Sequence, residues 1–250
     1  MAFGVVLVGD ELLNGRRQDR HLAKVIEQLA ERGLSLSWVR MVGDQFESLR
    51  DCFAQTLASE DVVFSFGGIG ATPDDITRQC AAAAAGVKLV RHPEARAEIE
   101  AQFAEGAYPT RILMADFPAG SRIIPNPVNR VSGFSFAKHH FVPGFPNMAW
   151  PMIEWVLEHE YAELFHQQVV AQRIYQLSGA FENLLVPHME QLLKLFPEVS
   201  LSSLPNTDER RQIEFSLKGS AKQVAAAGAW MEPIFEQLQI RWRLQSDKCL

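Results

Sequence analysis

The chain has 250 residues, 47% of them hydrophobic and 22% charged, a composition that fits a globular protein with one large domain or one ordinary domain plus a small one. A net charge of −6 argues against nucleic acid as the main partner, because that affinity comes largely from neutralised phosphates. Cys52, Cys80 and Cys249 form no CxxC pair, no apolar run approaches ~18 residues, and the first residues lack a basic signal region, so zinc, disulfides, a membrane span and secretion are all unindicated and a reducing cytoplasm is expected.

Residues 3–8 form a valine-rich apolar run closed by Gly9-Asp10, which predicts a buried parallel strand. Leu22, Val25, Ile26, Leu29 and Ala30 recur at helical spacing, and Gly33 is placed to stop that helix. Residues 34–42 alternate as a second strand and end at Gly43-Asp44. Leu49, Cys52, Phe53, Thr56 and Leu57 give the next helical stripe, and 61–66 a third strand running straight into Gly67-Gly-Ile-Gly70. Alanine-rich 76–85, ended by Gly86, completes a β-α-β-α-β-α order with short links. That order predicts a doubly wound, mostly parallel α/β sheet. Ligands in such sheets bind beyond the carboxyl ends of the strands, so Asp10, Asp44 and the 67–75 turn are expected on one edge.

Further on, 92–104 reads as a helix with Pro93 in its first turn. From 109 to 146 proline and glycine are frequent, predicting short strands at 122–124, 134–136 and 139–142 joined by constrained turns. A helix follows at 150–160. Beyond 164 the pattern is a strand at 168–177, a helix at 181–195, strands at 200–204 and 212–217, and a helix at 221–238. This is a small α+β unit with an antiparallel sheet, which divides the chain into domains 1–163 and 164–250.

Three glycines in four positions let a backbone approach a ligand closely, and Thr72, Asp74 and Asp75 suit the capped first turn of the following helix. A strand, a glycine turn and a helix N-terminus in that order make an anion site. The bland reading is a tight turn with helix-start acids. Ligand binding is favoured because all the required parts appear in sequence. No Lys-Ser or Lys-Thr follows, so it is no Walker loop, and Pro73 breaks a dinucleotide fingerprint. Asp10, Glu11, Asp44, Asp74 and Asp75 gathered on one edge would repel unless a cation bound or a proton was retained, and Mg²⁺ shared with substrate phosphates fits best. Asp19 reads as a helix cap and His21 as a packing histidine. His139 and His140 would face opposite sides of a strand and not share a metal. The loops at Asn126–Asn129 and 143–146 read as rigid. Asp208, Glu209, Arg210 and Arg211 read as a solvated turn, and Leu184, Leu185, His188, Leu192 and Leu195 as core or a subunit contact.

Taken together, Gly9-Asp-Glu-Leu-Leu-Asn-Gly15, Asp19, Val42-Gly-Asp44, 67–77, Pro125-Asn-Pro127 and Pro143-Gly-Phe-Pro146 resemble the molybdopterin-binding (MoCF) domain, in the version at the N-terminus of the competence/damage-inducible CinA family. The remainder is similar to the small KH-like domain that follows there. The nicotinamide-nucleotide amidase domain of full-length CinA proteins lies beyond the matched region, so deamidation is not expected. The resemblance gives Gly67, Gly68, Gly70 and Thr72 a phosphate-binding role. It adds Asp10, Asp19, Pro143 and Gly144 to the ligand-binding set, Asp44 and Asp75 as catalytic, and Asp44, Asp74 and Asp75 as metal-binding. It implies a nucleotide or pterin ligand, a divalent metal and a homo-oligomer. The activity it implies is metal-dependent hydrolysis of a dinucleotide such as ADP-ribose, with adenylyl transfer to molybdopterin and non-catalytic binding or assembly as the other readings. The KH-like region lacks a Gly-x-x-Gly clamp, against RNA binding. Four departures stand out: Ala71 for the usual proline, His21 for asparagine, Asn129 for glycine, and Asn147-Met148 where a glutamate is usual.

Overall fold

In the computed structural model, described over residues 1–167, 170–206 and 212–249, the chain divides into two units at Phe165/His166. The first is built from β1 (Phe3–Val8), a short α1 (Asp10–Leu13), α2 (His21–Ala30), β2 (Leu36–Val42), α3 (Phe46–Leu57), β3 (Val62–Phe66) and α4 (Thr77–Ala85). These are followed by β4 (Leu89–Arg91), α5 (Pro93–Phe103), two 3₁₀ turns, β5 (Asp116–Pro118), β6 (Arg122–Ile124), β7 (Gly133–Phe136), β8 (His139–Val142) and α6 (Pro146–Glu160). Six strands form one sheet in the order β2-β1-β3-β8-β7-β6. Its first four strands are parallel, and β7 runs antiparallel to both of its neighbours, β8 and β6.

Burial explains the strand sequences. All six residues of β1 and all five of β3 are buried, so they read as continuous apolar runs. Alternate β1 residues serve two cores: Val6 and Val8 pack with Leu49, Phe53, Cys80 and Phe141, and Phe3, Val5 and Leu7 with Val25, Leu29, Met152 and Val156. β2 lies at the sheet edge and alternates half-buried with exposed. The small β4–β5 pair escapes sequence reading, since three exposed residues in β4 carry no period.

His139 and His140 do face opposite ways. The His139 ring meets Thr56 Oγ1 of α3 at 2.9 Å, while His140 is held between Ser135 Oγ (2.8 Å) and Tyr161 Oη (2.7 Å). Burial lowers the pKa of both, to about 4 for His139 and about 3 for His140.

The second unit contains β9 (Val170–Ser178), α7 (Glu182–Leu195), β10 (Ser200–Pro205), β11 (Gln212–Ser220), α8 (Ala221–Gln237) and β12 (Arg241–Cys249). Its four strands are antiparallel, ordered β10-β11-β9-β12. β12 has no counterpart in the sequence reading, because Arg241, Arg243 and Asp247 mask its alternation; it is an edge strand on which Arg241 and Arg243 are exposed and Asp247 pairs with Arg173 of β9 (2.6 Å). The leucine stripe of α7 splits: Leu185 and Leu192 are core, whereas Leu184 and Leu195 remain 44% and 51% exposed. The mixed-charge turn at 208–211 and the start of the strand expected from 168 lie outside the described residues, as does the Cys249 side chain.

Candidate functional site

The glycine turn leaves β3 between the ends of its neighbours. Gly67 N–H donates to Val142 O at the end of β8 (3.0 Å). Gly67 has φ 100° and a Cβ there would lie 2.6 Å from Val8 O; Gly68 has φ 67° and its Cβ would lie 2.3 Å from Thr77 Oγ1. Both are glycines because the protein's own scaffold fills the space where a side chain would go.

Two residues that sequence reasoning passed over hold this turn. Buried Thr77 donates its hydroxyl to Gly67 O (2.9 Å) and its N–H to Gly68 O (3.0 Å). Buried Arg78 donates from Nη2 to Gly70 O (2.5 Å) and from Nη1 to Leu113 O. The carbonyls of Gly67, Gly68 and Gly70 are thus bound to the scaffold. Its N–H groups at Gly68, Ile69, Gly70 and Ala71 have no acceptor among the described residues. Successive unpaired N–H groups in such a turn form an anion-binding concavity. The available signal for Thr77 and Arg78 was their place at the start of the helix after the turn, where polar side chains reach backward.

The expected capping role of Thr72, Asp74 and Asp75 is not what the structure contains. α4 starts only at Thr77, whose N–H is taken by Gly68 O, and no side chain caps it. Thr72 and Asp75 instead close a separate turn: Asp75 Oδ2 accepts from Thr72 N–H (2.9 Å) and Oγ1 (2.5 Å), and Asp75 N–H donates to Thr72 O (3.0 Å). The return of the chain to Gly68 fixes the helix start two residues beyond the acids. Gly70 makes room for this turn, since a Cβ there would lie 2.4 Å from Asp75 Oδ2.

Asp10 and Asp44 follow β1 and β2 and exchange hydrogen bonds, Asp10 N–H to Asp44 Oδ2 (2.9 Å) and Asp44 N–H to Asp10 Oδ1 (3.2 Å). Burial raises the Asp44 pKa above the ordinary carboxylate value, and the charges of Asp10, Glu11 and Asp74 raise it further. Asp19 accepts from His21 N–H (3.0 Å) and Leu22 N–H (2.9 Å) at the start of α2, the cap read from the sequence. His21 is buried, stacks on Phe66 at 4.4 Å, and donates from Nε2 to Gly144 O (3.3 Å); burial lowers its pKa, against the opposing effect of that hydrogen bond.

A cavity of 460 Å³ opens beside the turn, within the size range of small-molecule sites. Gly67, Gly68, Gly70, Thr72, Asp44, Asp74, Asp75, Pro143 and Gly144 all line it. Asp10 does not, and Asp19 lines a second cavity of 290 Å³ with His21 and Phe66. Apolar Phe103, Met114, Val131 and Met148 also line the larger cavity, giving surface for a flat heterocycle. Two of the departures noted above meet there: Asn129 Nδ2 donates to Met148 Sδ (3.6 Å). Asn129 and Asn126 otherwise spend their amides on each other and on Val131 and Val128.

The donor set suits a hard cation: Asp44 and Asp75 each retain one carboxylate oxygen free of the bonds described above, and Asp74 lines the same cavity. Among the described residues no three metal-ligating side chains converge into a preformed cage. A Mg²⁺-like ion would therefore take one or two of these carboxylates and complete its shell with substrate phosphates and water.

A mostly parallel sheet whose strand ends gather a glycine turn, acids and an apolar wall around one cavity has the architecture of an α/β domain with a small-molecule cavity at its strand ends. The chain belongs to the MoCF family: residues 4–163 match the profile described as "Probable molybdopterin binding domain". It is 30% identical over 199 residues to a CinA-like protein of Syntrophotalea carbinolica, covering 77% of this chain and 44% of that protein. It is 32% identical over 199 residues to a Caldanaerobacter subterraneus protein described as competence-damage inducible, covering 76% and 48%. The chain thus spans about half the length of these two relatives. The crystal structure of the protein CinA, of unknown function, from Thermoplasma acidophilum is similar with a TM-score of 0.58 and 28% identity, over 63% of this chain and 96% of that one. Among the described residues no helix is long and apolar enough to cross a membrane.

Proposed function

We propose that the first unit binds a nucleotide or pterin carrying a diphosphate and hydrolyses it with the help of a divalent metal, ADP-ribose being the representative substrate. The observation that carries this reading is the run of unpaired N–H groups at Gly68–Ala71 beside a cavity that also holds Asp44, Asp74 and Asp75. The N–H groups take phosphate oxygens, and the metal offsets the charge the carboxylates would otherwise set against them. A bound cation would favour the ionised form of Asp44, whose pKa burial raises, and Asp75 orients the turn through Thr72. The apolar wall receives the base or pterin ring. The protein acts in a reducing cytoplasm, and as a homo-oligomer.

A second reading, binding without turnover, is favoured by one specific feature. Met148 presents a thioether to the cavity where the related pattern has a carboxylate. Purified protein incubated with ADP-ribose, FAD, or ATP plus molybdopterin, each with Mg²⁺, Mn²⁺ or Co²⁺, separates the readings. Turnover of ADP-ribose or FAD supports hydrolysis. Adenylylated molybdopterin would move the site to cofactor synthesis, and saturable binding with no turnover of any substrate would sink both enzymatic readings.

A further inference from the structure

The two cavities adjoin, sharing Val8, Glu11, Arg17, Gly144 and Phe145 in their linings. Arg17 is the one cationic side chain lining the larger cavity among the described residues, where it stands with the acids Glu11, Asp44, Asp74 and Asp75. Its backbone is anchored, since Arg17 N–H donates to Glu11 O (2.9 Å) and so ties the segment to α1. Its guanidinium makes no ion pair or side-chain hydrogen bond among the described residues. Neighbouring cations are engaged: Arg16 with Asn14 Oδ1 (3.2 Å), Arg20 over the Trp150 ring (5.8 Å) and Arg78 under the glycine turn. An exposed arginine held by its backbone at the junction of two cavities, with its five donors unspent, is suited to bidentate capture of a phosphate.

We propose that Arg17 is a phosphate-binding, specificity-determining residue of this site. The ligand is a two-part ester of diphosphate, with one half in each cavity and its diphosphate passing Arg17. This rests on the reading of the larger cavity as a nucleotide or pterin site, and it assigns the smaller one, with His21 and Phe66, to the second half of the ligand.

Calorimetric titration of the whole chain with ADP-ribose, as its non-hydrolysable methylene-bridged analogue, in Mg²⁺ buffer tests it, comparing wild type with Arg17→Gln, Arg17→Lys and Arg16→Gln. Arg17→Gln is expected to weaken binding about 10- to 100-fold, the loss typical of a charge-assisted partner. Arg17→Lys, which keeps the charge but not the fork, falls between. Arg16→Gln removes an equal charge from the same segment and stays within about 2-fold, because a contact rather than the general field is lost at position 17. Arg17→Gln binding within about 2-fold of wild type overturns the assignment, as does an equal loss in Arg16→Gln. Wild type failing to bind the analogue overturns the nucleotide reading itself, and Arg17's role with it. Thermal melts of the variants matching wild type show that the fold is unaffected.

Discussion

Replacing Thr77 by valine deletes one hydroxyl and keeps the shape of a buried side chain. In wild type that hydroxyl donates to Gly67 O at 2.9 Å, and no other donor reaches that carbonyl among the described residues. A buried acceptor left unpaired costs roughly 1–3 kcal/mol, more than the net worth of an average hydrogen bond. For a unit of Met1–Phe165, with about 2–4 °C lost per kcal/mol at this size, the melting temperature should fall by roughly 2–12 °C. ADP-ribose affinity should fall as well, because the Gly67 carbonyl is then free to turn and the N–H groups of Gly68–Ala71 lose their fixed orientation. Thr77→Ser keeps the hydroxyl and sheds a methyl. The assay is a calorimetric melt together with nucleotide titration of all three proteins. If Thr77→Val matches wild type in both while Thr77→Ser is impaired, Thr77 acts by packing and the account of the turn is wrong.

The histidine pair sets a pH dependence. Both histidines are neutral when folded, with pKa values near 4 and 3 against about 6.5 unfolded, so their contribution is complete above about pH 6.5 and is lost as pH falls towards 4. Each histidine adds a slope of at most about 1.4 kcal/mol per pH unit in that window, so urea midpoints for His139→Gln should fall less steeply between pH 6 and 4.5 than those of wild type; parallel curves would contradict this. Asp44→Asn keeps an oxygen for Asp10 N–H and should leave stability within about 0.5 kcal/mol, while metal-stimulated turnover drops at least about tenfold; unaltered turnover removes Asp44 from the catalytic set. Met148→Glu should raise Mg²⁺-stimulated hydrolysis if the thioether is what limits it, and a folded variant without that gain shows that Met148 is not the determinant.

Much of this architecture was legible in one dimension. Valine-rich strands ending in Gly-Asp, helical stripes at three and four residues and the order of the elements were enough for a mostly parallel sheet, because burial on both faces leaves an apolar run and burial on one leaves a period. The rule that ligands sit beyond strand ends placed Asp10, Asp44 and the glycine turn on one edge without coordinates. β4 and β12 were not legible, since an exposed or edge strand has no burial to impose a pattern on it.

Residue types and their order therefore determined the fold class, the family and the glycine turn with its acids. Where hydrogen bonds go is a different matter, decided by partners distant in sequence. Only the tertiary structure turned Thr72 and Asp75 towards each other instead of towards the helix, and set Thr77 and Arg78 beneath the turn. It also paired Asn129 with Met148, and set Arg17 at the junction of two cavities. Glycine at 67 and 68 is the case that joins the two. The sequence predicted a backbone approached closely by a ligand, and the structure places the protein's own Val8 O and Thr77 Oγ1 where the side chains would go, with the N–H groups of Gly68–Ala71 unpaired among the described residues.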